Sequence, residues 1–278
     1  MEKPYFCRKD VTNLISMWTN IILLALSILP AILLMIYVYA KDKYQKEPFK
    51  SLAKAFFGGI LAIIITLVLD GIIDHFCSNM TGLSETAFYT AFFQAGIPEE
   101  FSKFLIFMIF IWRDKNFDEY FDGIVYASFI SLGFACLENI LYVFGSYEQS
   151  LFKGIATGVA RALLSVPGHF LFGVIMGYFL SMAKFNKGKR LRYILAGLLL
   201  AIVAHGLFDW ILMFNSSLND VTSSIIYVAF LAGDVFLWRQ GLKLIRKHQQ
   251  NSLLQSQEVH EPVEDAYKPI DWNAGSKQ

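Results

Sequence analysis

Seven apolar runs, each about twenty residues or longer, divide this chain: 18–40, 52–73, 86–112, 124–144, 155–182, 193–214 and 223–240. A run of that length matches the hydrocarbon thickness of a bilayer at about 1.5 Å of rise per helical residue. Lipid offers no hydrogen bonds, so a single spanning segment satisfies its own backbone only as a helix. The pattern predicts an all-α polytopic membrane protein, a bundle of about seven transmembrane helices. With 17% charged residues the chain falls below the roughly 25% usual in soluble proteins. The polar remainder is too short for a separate soluble domain. The expected organisation is a short extracytoplasmic segment over 1–17, a transmembrane domain over 18–242 and a polar cytoplasmic tail over 243–278. That tail, rich in Gln, Ser and Glu from about Asn251 onward, reads as disordered. The first run is too long for the core of a cleaved signal peptide and reads as a retained anchor.

Lys and Arg are distributed unevenly between alternate connections. Fifteen lie near 41–50, 113–115, 184–192 and 239–247, against four near 3–9 and at 153. The positive-inside rule then predicts a cell-membrane protein with its N-terminus outside and its C-terminus in the cytoplasm. An even number of spans would break the alternation. The net charge is +1 and no basic patch is interleaved with aromatics, so nucleic acid is not an expected partner. Cys7, Cys77 and Cys136 have no regular spacing and read as free thiols.

Ionisable residues within the runs carry the functional signal. Glu99 and Glu100 sit inside the third run, where a carboxylate at the bilayer centre costs about 2.5–3.5 kcal/mol. Gly96 and Pro98 predict a kink or break just before them. Lys103 is one turn on, within reach of either glutamate, so one is expected to pair with it while the other faces a cavity. Glu138, His169, His205 and Asp209 fall in the outer-to-middle part of the bilayer in later runs, which predicts a shared intramembrane polar cavity. A desolvated glutamate suits a general base for activating water. Asp209, four residues after His205, can orient that imidazole. Glu138 reads as a second acid, a metal ligand or an ion-pair partner of Arg161, and the adjacent Asn139 as an oxyanion donor. Asp70 and Arg161 read as structural or vestibule residues, and Asp234 stands alone. HExxH, GxSxG and Walker motifs are absent.

Taken in order, these residues resemble the PrsW family of intramembrane proteases. The family's pattern is EExxK, FxxxE, a histidine, then HxxxD on successive membrane helices. Here it reads Glu99-Glu100-Phe101-Ser102-Lys103, Phe134-Ala135-Cys136-Leu137-Glu138, His169 and His205-Gly206-Leu207-Phe208-Asp209. The resemblance covers about 86–214, and the family is itself distantly similar to CAAX-processing and bacteriocin-processing membrane endopeptidases. It implies peptide-bond hydrolysis in or beside the membrane. The implied substrate is a membrane-anchored protein such as an anti-sigma factor, cut on its extracytoplasmic side to start a stress response. On this reading Glu99 or Glu100 is the base, and His169 and His205 hold the water or the oxyanion. Lys103, Glu138, Asn139 and Asp209 support them.

The chemistry admits two versions, one metal-independent and one with a divalent ion such as zinc held by Glu138, His169 and His205. The same residue types also serve proton-coupled transporters and channels, the alternative reading. Inverted repeats with matching interrupted helices would favour that reading, and the sequence carries none.

Overall fold

The computed structural model describes residues 5–77, 83–215 and 220–260, and every regular element among them is helical. The α-helices, in chain order, are α1 (Tyr5–Lys41), α2 (Phe49–Cys77), α3 (Leu83–Tyr89), α4 (Ile97–Ile106), α5 (Tyr120–Tyr147), α6 (Leu151–Ala160), α7 (Val166–Phe185), α8 (Arg190–Asn215) and α9 (Asp220–His260). Among the described residues, six stretches are long and apolar enough to cross a membrane, and they contain six of the seven runs. The remaining run, which carries Glu99, Glu100 and Lys103, lies in an unbroken helical stretch from Leu83 to Ile111. The chain is a multi-pass, all-helical membrane protein.

Two stretches change helical pitch where the sequence carries proline. Between α3 and α4, Thr90–Gly96 is π-helical and the Ile97 N–H bonds to the Phe92 carbonyl, five residues back. Between α6 and α7, Arg161–Ser165 is π-helical and the Val166 N–H bonds to the Arg161 carbonyl, again five back. Pro98 and Pro167 follow directly and supply no N–H, so the tighter α-register restarts at a point where one donor is missing anyway. Wide turns of this kind recur at functional sites. Here each one immediately precedes an ionisable site residue: Glu99 and Glu100 in one stretch, His169 in the other.

α5 and α7 form the centre, and the remaining helices turn apolar faces outward, as Leu33, Ile64, Leu199 and Val228 do. Small residues let the central pair approach closely. A Cβ on Gly177 would collide with the Gly123 carbonyl, and one on Gly173 would press on Ala127 and Ser131. Without a hydrophobic driving force between helices in lipid, such backbone-to-backbone packing is a main source of cohesion.

The C-terminal tail departs from expectation. Residues 243–260 continue α9 as helix, whereas the polar composition predicted disorder; 261–278 lie outside the described residues. The physical reason is a buried stripe of Ile245, His248 and Ser252 at helical spacing. Its polar members satisfy backbone groups of other elements. The His248 ring meets the Tyr178 carbonyl at 2.9 Å, and Ser252 Oγ accepts the Phe121 N–H at 3.0 Å. Gln255 Nε2 donates to the Asp118 carbonyl at 2.8 Å.

Candidate active site

α4, α5, α7 and α8 bring their ionisable residues to one place. Lys103 Nζ lies 3.1 Å from Glu99 Oε2, 2.8 Å from Glu100 Oε1 and 3.1 Å from His169 Nδ1. A lysine ammonium only donates, so His169 Nδ1 accepts and its Nε2 carries the proton given to Glu138 Oε2, 2.8 Å away. Glu138 Oε2 also pairs with Arg161 Nη2 at 2.7 Å, so both readings of Glu138, ion-pair partner and site residue, describe the same side chain. His205 Nδ1 lies 2.9 Å from Glu100 Oε1, and its Nε2 lies 3.3 Å from Asp209 Oδ2. With both carboxylates ionised, each ring nitrogen donates and the imidazole is cationic.

The two glutamates, 100° apart on α4, have different surroundings. Both touch Lys103, but Glu99 also lines a cavity of about 470 Å³. Glu138, Arg161, His169, His205 and Asp209 line it too. Glu100 is fully buried behind it, and its Oε2 has no hydrogen-bond partner. Glu99 Oε2 lies 4.0 Å from His169 Nδ1 and 3.9 Å from His205 Nε2, too far for direct hydrogen bonds and the right span for a bridging water.

Aromatic residues hold this polar cluster in place. Lys103 Nζ sits 4.2 Å over the Phe134 ring, which gives the phenylalanine of the FxxxE pattern a physical role. Phe172 stacks on His205 at 4.8 Å. Sequence reasoning did not single out Phe172, although its position one turn after His169 places it on the same face of α7. Gly206, next to His205, was also passed over. A Cβ there would overlap the Phe92 ring of the π-helical segment.

Asn139 does not occupy the expected oxyanion position. One residue beyond Glu138, it turns toward α1, where Nδ2 donates to the Ser27 carbonyl at 3.2 Å. Its Oδ1 accepts from Arg161 Nε at 2.6 Å. It braces Arg161 and is absent from the cavity lining. Arg161 and Asp70, by contrast, both line the cavity.

Comparison with known proteins places this geometry. Residues 47–233 match the profile of the PrsW family intramembrane metalloprotease. The chain belongs to the PrsW family. It is 35% identical to Protease PrsW of Clostridioides difficile (strain 630) over 83% of this chain and 92% of that one. It is 35% identical to Protease PrsW of Bacillus subtilis (strain 168), over 84% and 98%. With Protease PrsW of Geobacillus kaustophilus (strain HTA426) it shares 37% identity over 69% and 80%. No solved structure matches the chain. Membership of the PrsW family makes the chain an intramembrane peptidase and decides against the transporter reading.

The family description names a metal, and the donor set here fits one. Glu99, Glu100, His169 and His205 are all buried and each offers a ligand atom within 4.8 Å of the others, His205 once it gives up the proton on one ring nitrogen. The unpartnered Glu100 Oε2 is a free acceptor at the same place. Glu138 and Asp209 back the two imidazoles, the outer carboxylates that histidine ligands commonly have. The set differs from the expected Glu138, His169 and His205. Glu138 meets the proton-bearing nitrogen of His169, on the side away from Lys103, and the two α4 glutamates stand where ligands converge. The Lys103 ammonium already takes a lone pair from Glu99, Glu100 and His169, so a bound ion would compete with it.

Proposed function

We propose that this intramembrane peptidase hydrolyses a membrane-anchored protein, with Glu99 as the general base. The observation that carries the proposal is that Glu99 lines the cavity, with its Oε2 about 4 Å from both imidazoles. A water held there gives its proton to Glu99 as it attacks the substrate carbonyl carbon. The cationic His205 meets the negative charge developing on the carbonyl oxygen. The proton then passes from Glu99 to the amide nitrogen as the C–N bond breaks, which regenerates the carboxylate. Glu100 and Asp209 fix the His205 ring from both sides. Lys103 holds Glu99 in position, and Glu138 orients His169. A divalent ion would be held by Glu100, His169 and a deprotonated His205, leaving Glu99 as the base, and it would supply Lewis-acid polarisation of the carbonyl.

The cut falls on the extracytoplasmic side. The cavity is lined by the C-terminal halves of α2, α5 and α8 and by Thr90 and Arg161 near the starts of their stretches. It therefore sits toward the end of the bundle that carries the 148–150 connection, and the connections rich in Lys and Arg sit at the other end. The positive-inside rule puts the latter in the cytoplasm, with the N-terminus outside. A membrane-tethered regulator such as an anti-sigma factor presents a suitable extracytoplasmic segment, and its cleavage would release a stress response. Cysteine labelling tests the sidedness. In a cysteine-free background, Glu148→Cys reacts with an impermeant thiol reagent in intact cells, and Gly188→Cys reacts only after permeabilisation. The reverse order would move the cut to the cytoplasm.

A further inference from the structure

One wall of the catalytic cavity carries polar atoms with no hydrogen-bond partner among the described residues. Thr66 and Asp70 stand one turn apart on α2 and line the same cavity as Glu99, His169 and His205. Thr66 is 6% exposed, yet among the described residues its Oγ1 has no hydrogen-bond partner, and neither has the buried Oδ1 of Asp70. Leaving such atoms unpaired is costly, and in a cavity wall they are completed by water, an ion or a bound ligand.

The charges around the cavity specify what that ligand carries. Glu138 is matched by Arg161 and His169, Asp209 by His205, and Glu99 by Lys103. Asp70 is the cavity carboxylate for which no ion pair is found among the described residues. One turn further out on α2, Asp74 takes only neutral donors, Tyr89 Oη at 3.4 Å and Gln94 Nε2 at 3.3 Å. α2 thus presents two carboxylates in succession, and neither has a cationic partner among the described residues.

We propose that Thr66 and Asp70 form a substrate subsite that binds a lysine or arginine side chain close to the cut bond. This rests on the proteolytic reading of the cavity. An ammonium or guanidinium has donors for both unpaired oxygens at once, and it brings the one charge that the wall lacks. Basic residues are common where a membrane span meets water, because their long stems lie along the apolar surface while the charge reaches the interface. A substrate residue of that kind would enter the cavity together with the flank of its own span. Selectivity here would come from a single charge pair in a largely desolvated wall, so the position of the basic residue sets where the chain is cut.

The test uses full-length protein in liposomes and single-span reporters. Lys, Gln or Glu is placed singly at each of the ten flank positions outside the span. The wild type is expected to cleave a Lys reporter at one or two adjacent positions about tenfold better in kcat/KM than its Gln twin. Asp70→Asn should shrink that ratio to about twofold, Thr66→Val should lower it by a smaller factor, and Asp70→Lys should turn the preference toward Glu. Binding of the same reporters to Glu99→Gln needs no turnover and should rank them identically. An unchanged Lys-to-Gln ratio in Asp70→Asn would overturn the subsite. So would the lack of a Lys preference at every position in both cleavage and binding. If no reporter is cleaved but Glu99→Gln still prefers Lys in an Asp70-dependent way, the subsite stands and the proteolytic reading falls.

Discussion

Gly96 and Gly206 meet backbone to backbone: a Cβ on Gly96 would stand 3.1 Å from the Gly206 nitrogen. Gly96 closes the π-helical segment three residues before Glu99, and Gly206 follows His205. This contact sets the spacing between α4 and α8, and hence the 2.9 Å separation of Glu100 Oε1 and His205 Nδ1. The wide turn and the two glycines are parts of one positioning device.

Widening that contact should therefore break the site without touching an ionisable group. Gly206→Val forces the Phe92 ring aside, with an overpacking cost of about 1–3 kcal/mol. Expected results are a lower midpoint of thermal unfolding in detergent and a loss of reporter cleavage of at least about tenfold, since small displacements of catalytic groups are expensive. Gly145→Ala, where a Cβ meets open space, is the control and should leave both unchanged or slightly improved. Normal cleavage by Gly206→Val would show that the glycine contact does not govern the site.

Asn139 offers a second check. Removing a genuine oxyanion donor costs about 10²–10³ in kcat. Asn139 instead ties Arg161 to the Ser27 carbonyl of α1. Asn139→Ala should lower stability, because it removes two buried hydrogen bonds, to the Ser27 carbonyl and from Arg161 Nε, while kcat on the surviving folded protein stays within about tenfold of wild type. A drop of a thousandfold with an unchanged melting midpoint would restore the oxyanion role.

The same pair of neighbours shows what the sequence made legible. Residues spaced three or four apart on one helix were readable, because helical geometry alone brings Lys103 to Glu99 and Glu100, and Asp209 to His205. Glu138 and Asn139 differ by one position, so only the packing of α5 against α1 and α7 decides which of them faces the cavity. The six long apolar runs were legible for a related reason: lipid imposes length and composition directly. The break before the glutamates was readable from Gly96 and Pro98, but the widened turns were not, since a five-residue hydrogen-bond register has no composition of its own. The helical extension to His260 was missed because its buried stripe is largely polar, and polarity alone reads as solvent-exposed.

Outside the membrane, three carboxyl groups make stability depend on pH. Burial raises Asp42 to about 6 and Glu119 to about 7, and burial together with Asp122 pushes Glu47 well up. In an unfolded chain these groups titrate near 4. The folded protein therefore binds more protons between about pH 4 and 7, and its stability falls as pH rises through that window. The melting midpoint in detergent should decline from pH 5 to pH 8, and Glu119→Gln should flatten the decline. A midpoint that rises over the same range, or a slope unaffected by Glu119→Gln, would contradict this assignment.

The central claim is that Glu99, rather than Glu100, activates the water. The most direct measurement is the single-turnover rate of reporter cleavage by Glu99→Gln, on protein whose melting midpoint matches that of the wild type. Glutamine keeps the size and the Lys103 contact but cannot take a proton. The account predicts a rate reduced by about 10²–10⁴-fold, the usual worth of a positioned general base. A Glu99→Gln protein that cleaves within a few-fold of the wild-type rate would contradict it and move the base elsewhere in the cluster.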